Sequence, residues 1–120
     1  MNRILLADAN PTLRSALTLL LETRLDAQVV GQVNRMESLM CEAAATWPDI
    51  IVMDWELPGQ PAQNRLAALR QQTPHSRIIV TSARPESAHQ ASGADGFLCK
   101  TDPPEILLHT IQDKNSRPEA

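Results

Sequence analysis

The stretch Pro48-Asp49-Ile50-Ile51-Val52-Met53-Asp54-Trp55-Glu56-Leu57-Pro58-Gly59 decides how this chain is read. Ile50 to Met53 are apolar without a break, and a Pro-Gly turn signal follows Asp54 closely. A short continuous apolar run that ends in turn residues predicts a strand buried on both faces, as in a parallel sheet. Asp54 then stands at the carboxyl end of a central strand. That edge is where open α/β sheets bind ligands and carry chemistry. Asp is also common in turns, so the residue alone would serve equally as a loop acid. The rest of the chain chooses between the two.

Working outward, Ile4-Leu5-Leu6-Ala7 is a second buried-strand run, and it too ends on a carboxylate, Asp8. Asn10-Pro11 predicts a helix start, with Asn at the cap and Pro in the first turn. Leu13, Ala16, Leu17, Leu20, Leu21 and Leu25 give that helix an apolar stripe. Val29, Val30 and Val33 predict a short strand around Gly31. Asn34-Arg35-Met36-Glu37 reads as a capping box opening a helix to about Thr46, and Pro48 keeps this helix out of the next strand. Beyond Gly59 the chain is polar until a helix near Gln63 to Gln72. Arg77 to Ser82 is a fourth strand, ending on two hydroxyls. Pro85 to about Ser92 has room only for a short helix. Phe97 to Lys100, after a Gly93-Ala94-Asp95-Gly96 turn, is a fifth strand ending on lysine. Asp102-Pro103-Pro104-Glu105 repeats the capping logic before a last helix. Strands and helices alternate, which predicts an α/β fold: a doubly wound five-stranded parallel sheet in the order 2-1-3-4-5, flavodoxin-like, with helices on both faces.

The chain has 120 residues, with 42% hydrophobic and 21% charged residues and a net charge of −3. These values predict one globular domain, residues 1–113, followed by a polar tail or linker start at 114–120. The negative charge argues against direct nucleic-acid binding, and an aromatic content of 2% leaves no platform for stacking bases. Neither a membrane span nor a signal peptide is expected. Cys41 and Cys99 are read as buried free thiols in a reducing cytosol. His75, His89 and His109 lack metal-ligand spacing, and Trp47 and Trp55 are read as packing groups.

Strands of a parallel sheet point one way, so Asp8, Asp54, Thr81 with Ser82, and Lys100 should share one edge. Clustered carboxylates call for a cation, and Mg²⁺ suits one or two carboxylates with waters and phosphate oxygens. A hydroxyl and an ammonium beside them would suit a phosphoryl group, with Asp54 as the nucleophile.

On the motifs at Ile4–Asp8 with Pro11, Pro48–Gly59, Ile78–Ser82 and Gly93–Lys100, the chain resembles a bacterial two-component response-regulator receiver domain over about residues 3–112. The fold so implied is that of the chemotaxis regulators. Pro103-Pro104-Glu105 resembles the subgroup that carries a C-terminal helix-turn-helix domain. The resemblance implies a phosphoryl group accepted by Asp54 from a histidine kinase or phosphotransfer protein. It implies Mg²⁺ bound through an acidic pair after the first strand, Asp54 and the backbone carbonyl of Glu56. Thr81 and Lys100 would sense the phosphoryl group, and Phe97 matches the aromatic switch position beside Thr81. A cytoplasmic, non-enzymatic regulator of transcription follows, acting through an output domain or a homodimer.

Three departures stand against that pattern. The acidic pair is Asp8-Ala9, which should weaken Mg²⁺ binding. Gln60-Pro61-Ala62 replaces the usual turn. The span from Thr81 to Gly93 is short by about three residues, nearly one helical turn. A phosphoacceptor switch and a phosphorylation-independent pseudo-receiver that binds a partner protein therefore both stay open. Intact Asp54, Thr81 and Lys100 favour the first; Ala9 and the short fourth helix favour the second. A flavodoxin-like cofactor site lacks its phosphate cradle.

Overall fold

The computed structural model describes residues 2–113. Five strands and five helices alternate: β1 Asn2–Ala7, α1 Pro11–Arg24, β2 Ala27–Val33, α2 Met36–Thr46, β3 Ile50–Asp54, α3 Arg65–Gln72, β4 Arg77–Ser82, α4 Ser87–Gln90, β5 Gly96–Cys99 and α5 Pro104–Gln112. The sheet is parallel throughout, in the order β2-β1-β3-β4-β5. This is the expected doubly wound topology.

The period of two along a strand explains the layers. Leu5, Ala7, Ile51, Met53, Ile78 and Val80 face one side, where they meet Met36, Leu39, Leu69 and Ala91 from α2, α3 and the end of α4. Ile4, Leu6, Ile50, Val52 and Ile79 face the other, against Leu21 of α1 and Leu107, Leu108 and Ile111 of α5. Both faces of β1 and β3 are covered, which is why those runs are apolar without alternation. A break in register between Ile4 and Leu5 admits one extra residue in β2, beside Gly31.

Asn10 caps α1 as expected: its side-chain oxygen accepts from the amides of Thr12 and Leu13 at 3.0 and 3.2 Å. The two capping boxes do not form. Arg35, not Asn34, precedes α2 and contributes no side-chain cap, while Glu37 turns to its guanidinium at 2.9 Å. That pairing, an exposed one, holds the Glu37 carboxyl down to about 2. Before α5, Asp102 accepts from the Cys99 amide at 3.0 Å, and Pro103 stands at the cap position. In both cases a charged partner or a nearer amide outcompetes the helix end for a short side chain. The α1 stripe is shallower than its pattern predicts. Of its leucines only Leu21 is fully buried, and Ala16 is exposed.

The third helix begins at Arg65, two residues later than expected, after Asn64 in the left-handed region. The fifth strand runs from Gly96 to Cys99 rather than Phe97 to Lys100. Cys41 is exposed and Cys99 half-buried, so the thiols are free but not core residues. Trp47 is 64% exposed and stacks on His75 at 4.7 Å, a surface pair rather than core packing. Trp55 packs against the core as expected. The tail expected at 114–120 lies outside the described residues. No helix among the described residues is long and apolar enough to cross a membrane.

Candidate functional site at the carboxyl edge of the sheet

The site begins at the ends of the two central strands. Asp8 follows β1 and Asp54 ends β3; both are buried, at 6% and 7% exposure. Parallel pairing in register sets Ala7 beside Met53 and Asp54 beside Thr81. The residue after β5, Lys100, is tied to β4 by its amide, which donates to the Ser82 carbonyl at 2.8 Å. Its ammonium reaches back across the edge and meets Asp8 Oδ2 at 2.7 Å and Asp54 Oδ2 at 3.0 Å. Residues 46 and 92 positions apart from Asp8 along the chain thus form one ion cluster.

Lys100 is pulled two ways. Burial disfavours its charge, but the hydrogen bonds to Asp8 and Asp54 and their charges outweigh burial and raise its pKa above the ordinary 10.5. The ammonium is the counter-ion of both carboxylates. The remaining oxygens are held by backbone: Asp8 Oδ1 accepts from the Asn10 amide at 2.9 Å, and Asp54 Oδ1 from the Glu56 amide at 3.1 Å. Arg14 of α1 donates to the Asp8 carbonyl and braces that turn from behind.

The other residues expected here are placed as follows. Ser82 is fully buried, and its hydroxyl donates to both carboxylate oxygens of Glu56, at 2.9 and 3.0 Å. The Glu56 carboxylate also accepts from the Ala83 amide at 3.3 Å. Glu56 thereby ties the loop after β3 to the loop after β4. Thr81 makes only a long contact to the Met53 carbonyl, at 3.5 Å. It lines an apolar cleft of about 360 Å³ between α1 and α5, with Leu17, Leu20, Leu98 and Leu107. Phe97 packs against the core cluster on the other face of the sheet.

Three residues of the site had no signal in the pattern of apolar runs. Arg65 donates to the carbonyls of Pro61 at 2.9 Å, Trp55 at 3.1 Å and Gly59 at 3.2 Å, closing the loop after β3 on itself. Gly59 has φ +102°, and a Cβ there would meet the Glu37 carboxylate and the Met36 amide; glycine is required. The Trp55 indole donates to Gln90 Oε1 at 2.9 Å, which attaches the last residue of α4 to this loop.

Asp8 and Asp54 converge on a single cation, so the donor set fits a divalent ion. It fits a hydrated Mg²⁺ held through two carboxylates rather than a closed protein cage. Among the described residues, no group of three His, Cys, Asp or Glu side chains could hold a metal ion. Ala9 offers no oxygen from its side chain.

The sequence pattern of the response regulator receiver domain matches residues 4–112. The chain is 34% identical over 115 residues to the nitrate/nitrite response regulator protein NarL of Escherichia coli (strain K12), covering 90% of this chain and 52% of that protein. Several other relatives carry the names of transcriptional activators or regulatory proteins. The chain spans about half the length of the curated relatives it matches. Among solved structures, a LuxR-family two-component response regulator from Aurantimonas superposes with TM-score 0.83 at 29% identity, covering 93% of this chain and 83% of that one. A response regulator from Burkholderia pseudomallei, solved with a phosphorylated aspartic acid, a calcium ion and citrate, gives 0.79 at 26%, covering 97% and 69%. With one family pattern spanning nearly every described residue and the ion cluster seated at the strand ends, this chain belongs to the receiver domains of two-component response regulators.

Proposed function

We propose that Asp54 accepts a phosphoryl group from a histidine kinase or phosphotransfer protein, and that this receiver passes the charge on to an output domain or partner that regulates transcription. The observation that carries the reading is the Lys100 ammonium on both Asp8 and Asp54. A buried carboxylate at a strand end, held by an ammonium and a backbone amide, is oriented as a nucleophile. A carboxylate oxygen of Asp54 bonds to phosphorus while the bond from phosphorus to the donor breaks, and the electron pair leaves with the donor. Asp8, Asp54 and the Glu56 backbone carbonyl would hold Mg²⁺, which supplies charge neutralisation for the transferring phosphoryl oxygens. Lys100 supplies a second positive charge there, and Thr81 a hydroxyl at the rim. The Burkholderia structure, with its phosphorylated aspartate and calcium ion, supports the same chemistry here. The names of three relatives, a transcriptional activator and two transcriptional regulatory proteins, support transcription as the output. Residues 1–113 form the receiver in this reading, and 114–120 lead out of it.

A second reading rests on two observations: Ala9 removes one acid, and α4 has only four residues. A pseudo-receiver of this fold would bind its partner without phosphorylation. Intact-mass measurement after incubation with acetyl phosphate and Mg²⁺ separates the two. A gain of one phosphoryl group, lost in Asp54→Asn, supports the first reading. An unchanged mass with both acetyl phosphate and a phosphorylated kinase leaves the pseudo-receiver.

A further inference from the structure

The peptide between Trp55 and Glu56 is held at both ends by opposite charges. Its N–H donates to Asp54 Oδ1 at 3.1 Å, and its C=O accepts from the Arg65 guanidinium at 3.1 Å. In a trans peptide these groups point in opposite directions, so the pair of contacts fixes the orientation of the plane. A cation on the carbonyl and an anion on the amide polarise the peptide the same way, and hydrogen bonds in such a chain strengthen each other. The guanidinium is itself anchored by Pro61 and Gly59, which leaves its fork little freedom. The Trp55 amide is fixed too, donating to the Thr81 carbonyl at 2.7 Å.

We infer that Arg65 is a positioning residue for phosphorylation of Asp54, acting through the Trp55–Glu56 peptide, whose amide it aims and polarises at the acceptor carboxylate. This rests on Asp54 being the phosphoacceptor. As the bond from an Asp54 oxygen to phosphorus forms and the bond from phosphorus to the acetate oxygen breaks, the electron pair leaves with acetate. Negative charge then lies on the phosphoryl oxygens beside this amide. A donor already aimed at that place needs no reorganisation. Arg65 touches neither Asp54 nor the phosphoryl donor; its effect is carried by the peptide.

The test compares the parent chain with Arg65→Met and Arg65→Lys. The rate of Asp54 phosphorylation by acetyl phosphate with Mg²⁺ is read by intact mass. The proton shift of the Glu56 amide is read by NMR without Mg²⁺ or phosphoryl donor. Arg65→Met should react about 10-fold or more slowly, the usual scale for a group that orients a reacting ligand. Its Glu56 amide should move upfield as the hydrogen bond to Asp54 weakens. Arg65→Lys keeps the charge but not the fork and should fall between. If Arg65→Met does not fold, Arg65→Lys carries the same comparison. Support requires both effects: a parent-like rate, or a slowed rate with an unmoved Glu56 amide, overturns the inference while the Asp54 reading stands. Should the parent take no phosphoryl group from acetyl phosphate or from a phosphorylated kinase, the proposed function fails, and the Glu56 amide alone decides whether Arg65 positions the peptide.

Discussion

Replacing Lys100 with methionine keeps most of the side chain's length and removes only its charge. Two buried carboxylates then face the same spot without a counter-ion. Each ammonium–carboxylate contact, at 2.7 and 3.0 Å, corresponds to about 6 kcal/mol of gross attraction at an effective dielectric near 20. Desolvation cancels much of that. Removing one partner of a buried pair costs about 3–5 kcal/mol, because the charge left behind stays desolvated. Since 26% of the Lys100 side chain is open to water, the low end applies, about 3 kcal/mol. At about 4 °C per kcal/mol for a domain of this size, the melting temperature should fall by about 12 °C at pH 7. Thermal unfolding followed by circular dichroism measures this. In the parent, the folded pKa of Lys100 lies above its ordinary value. Its contribution is therefore complete below pH 10.5 and is lost as pH rises through the raised value, where parent and variant should converge. Mg²⁺ should stabilise the variant more than the parent, because an ammonium no longer occupies the gap between the acids. A melting temperature within 2 °C of the parent at pH 7, using the scale of about 4 °C per kcal/mol, would refute the view that this ion cluster holds the edge together.

Ala9→Asp adds a carboxylate next to Asp8 and should tighten Mg²⁺ binding roughly tenfold, since ligand charge tunes affinity at such sites. Quenching of Trp55, in a Trp47→Phe background that leaves a single indole, reads the titration; equal affinities would mean that another oxygen already serves. Ile51→Ala should cost about 2–5 kcal/mol by urea unfolding, because Ile51 is fully buried in the central strand and its removal leaves a cavity.

The fold was legible because a parallel sheet covered on both faces imposes an unusual pattern. Ile4–Ala7, Ile50–Met53 and Ile78–Val80 are apolar at every position, and each is followed at once by polar groups. The register of strands at about 4.8 Å spacing then brings Asp8 and Asp54 together whatever the loops do. Helix ends were less legible, for a local reason. Asn34, Glu37, Asp102 and Glu105 all have the side chains that caps use, but caps compete with other donors at similar distance. Glu37 found Arg35 and Asp102 found the Cys99 amide. The α1 leucines illustrate a second limit: spacing shows which face is apolar, not how closely a neighbouring helix approaches. The cleft between α1 and α5 leaves Leu13, Leu17 and Leu20 half covered.

The loop contacts were not legible because they depend on backbone carbonyls, which every residue carries. Nothing in Gly59-Gln60-Pro61 marks the Gly59 and Pro61 carbonyls as acceptors for Arg65, yet they anchor the guanidinium that also donates to the Trp55 carbonyl. This matters for the charge balance of the edge. Two carboxylates and one ammonium leave Asp8, Asp54 and Lys100 with one excess negative charge. A phosphoryl group on Asp54 carries about −1.5 to −2 but replaces the carboxylate's own charge, so the edge becomes more negative by about one-half to one unit. Glu56 does not help, since its carboxylate is itself an anion, turned to the Ser82 hydroxyl and the Ala83 amide. What remains is positive charge from solution and amide dipoles fixed in advance. The first would come from a divalent cation that Asp8 and Asp54 would hold; the second would come from the Trp55–Glu56 peptide. With no side-chain oxygen from Ala9 for such a cation, the proposed role of the peptide, and of the guanidinium behind it, would weigh more.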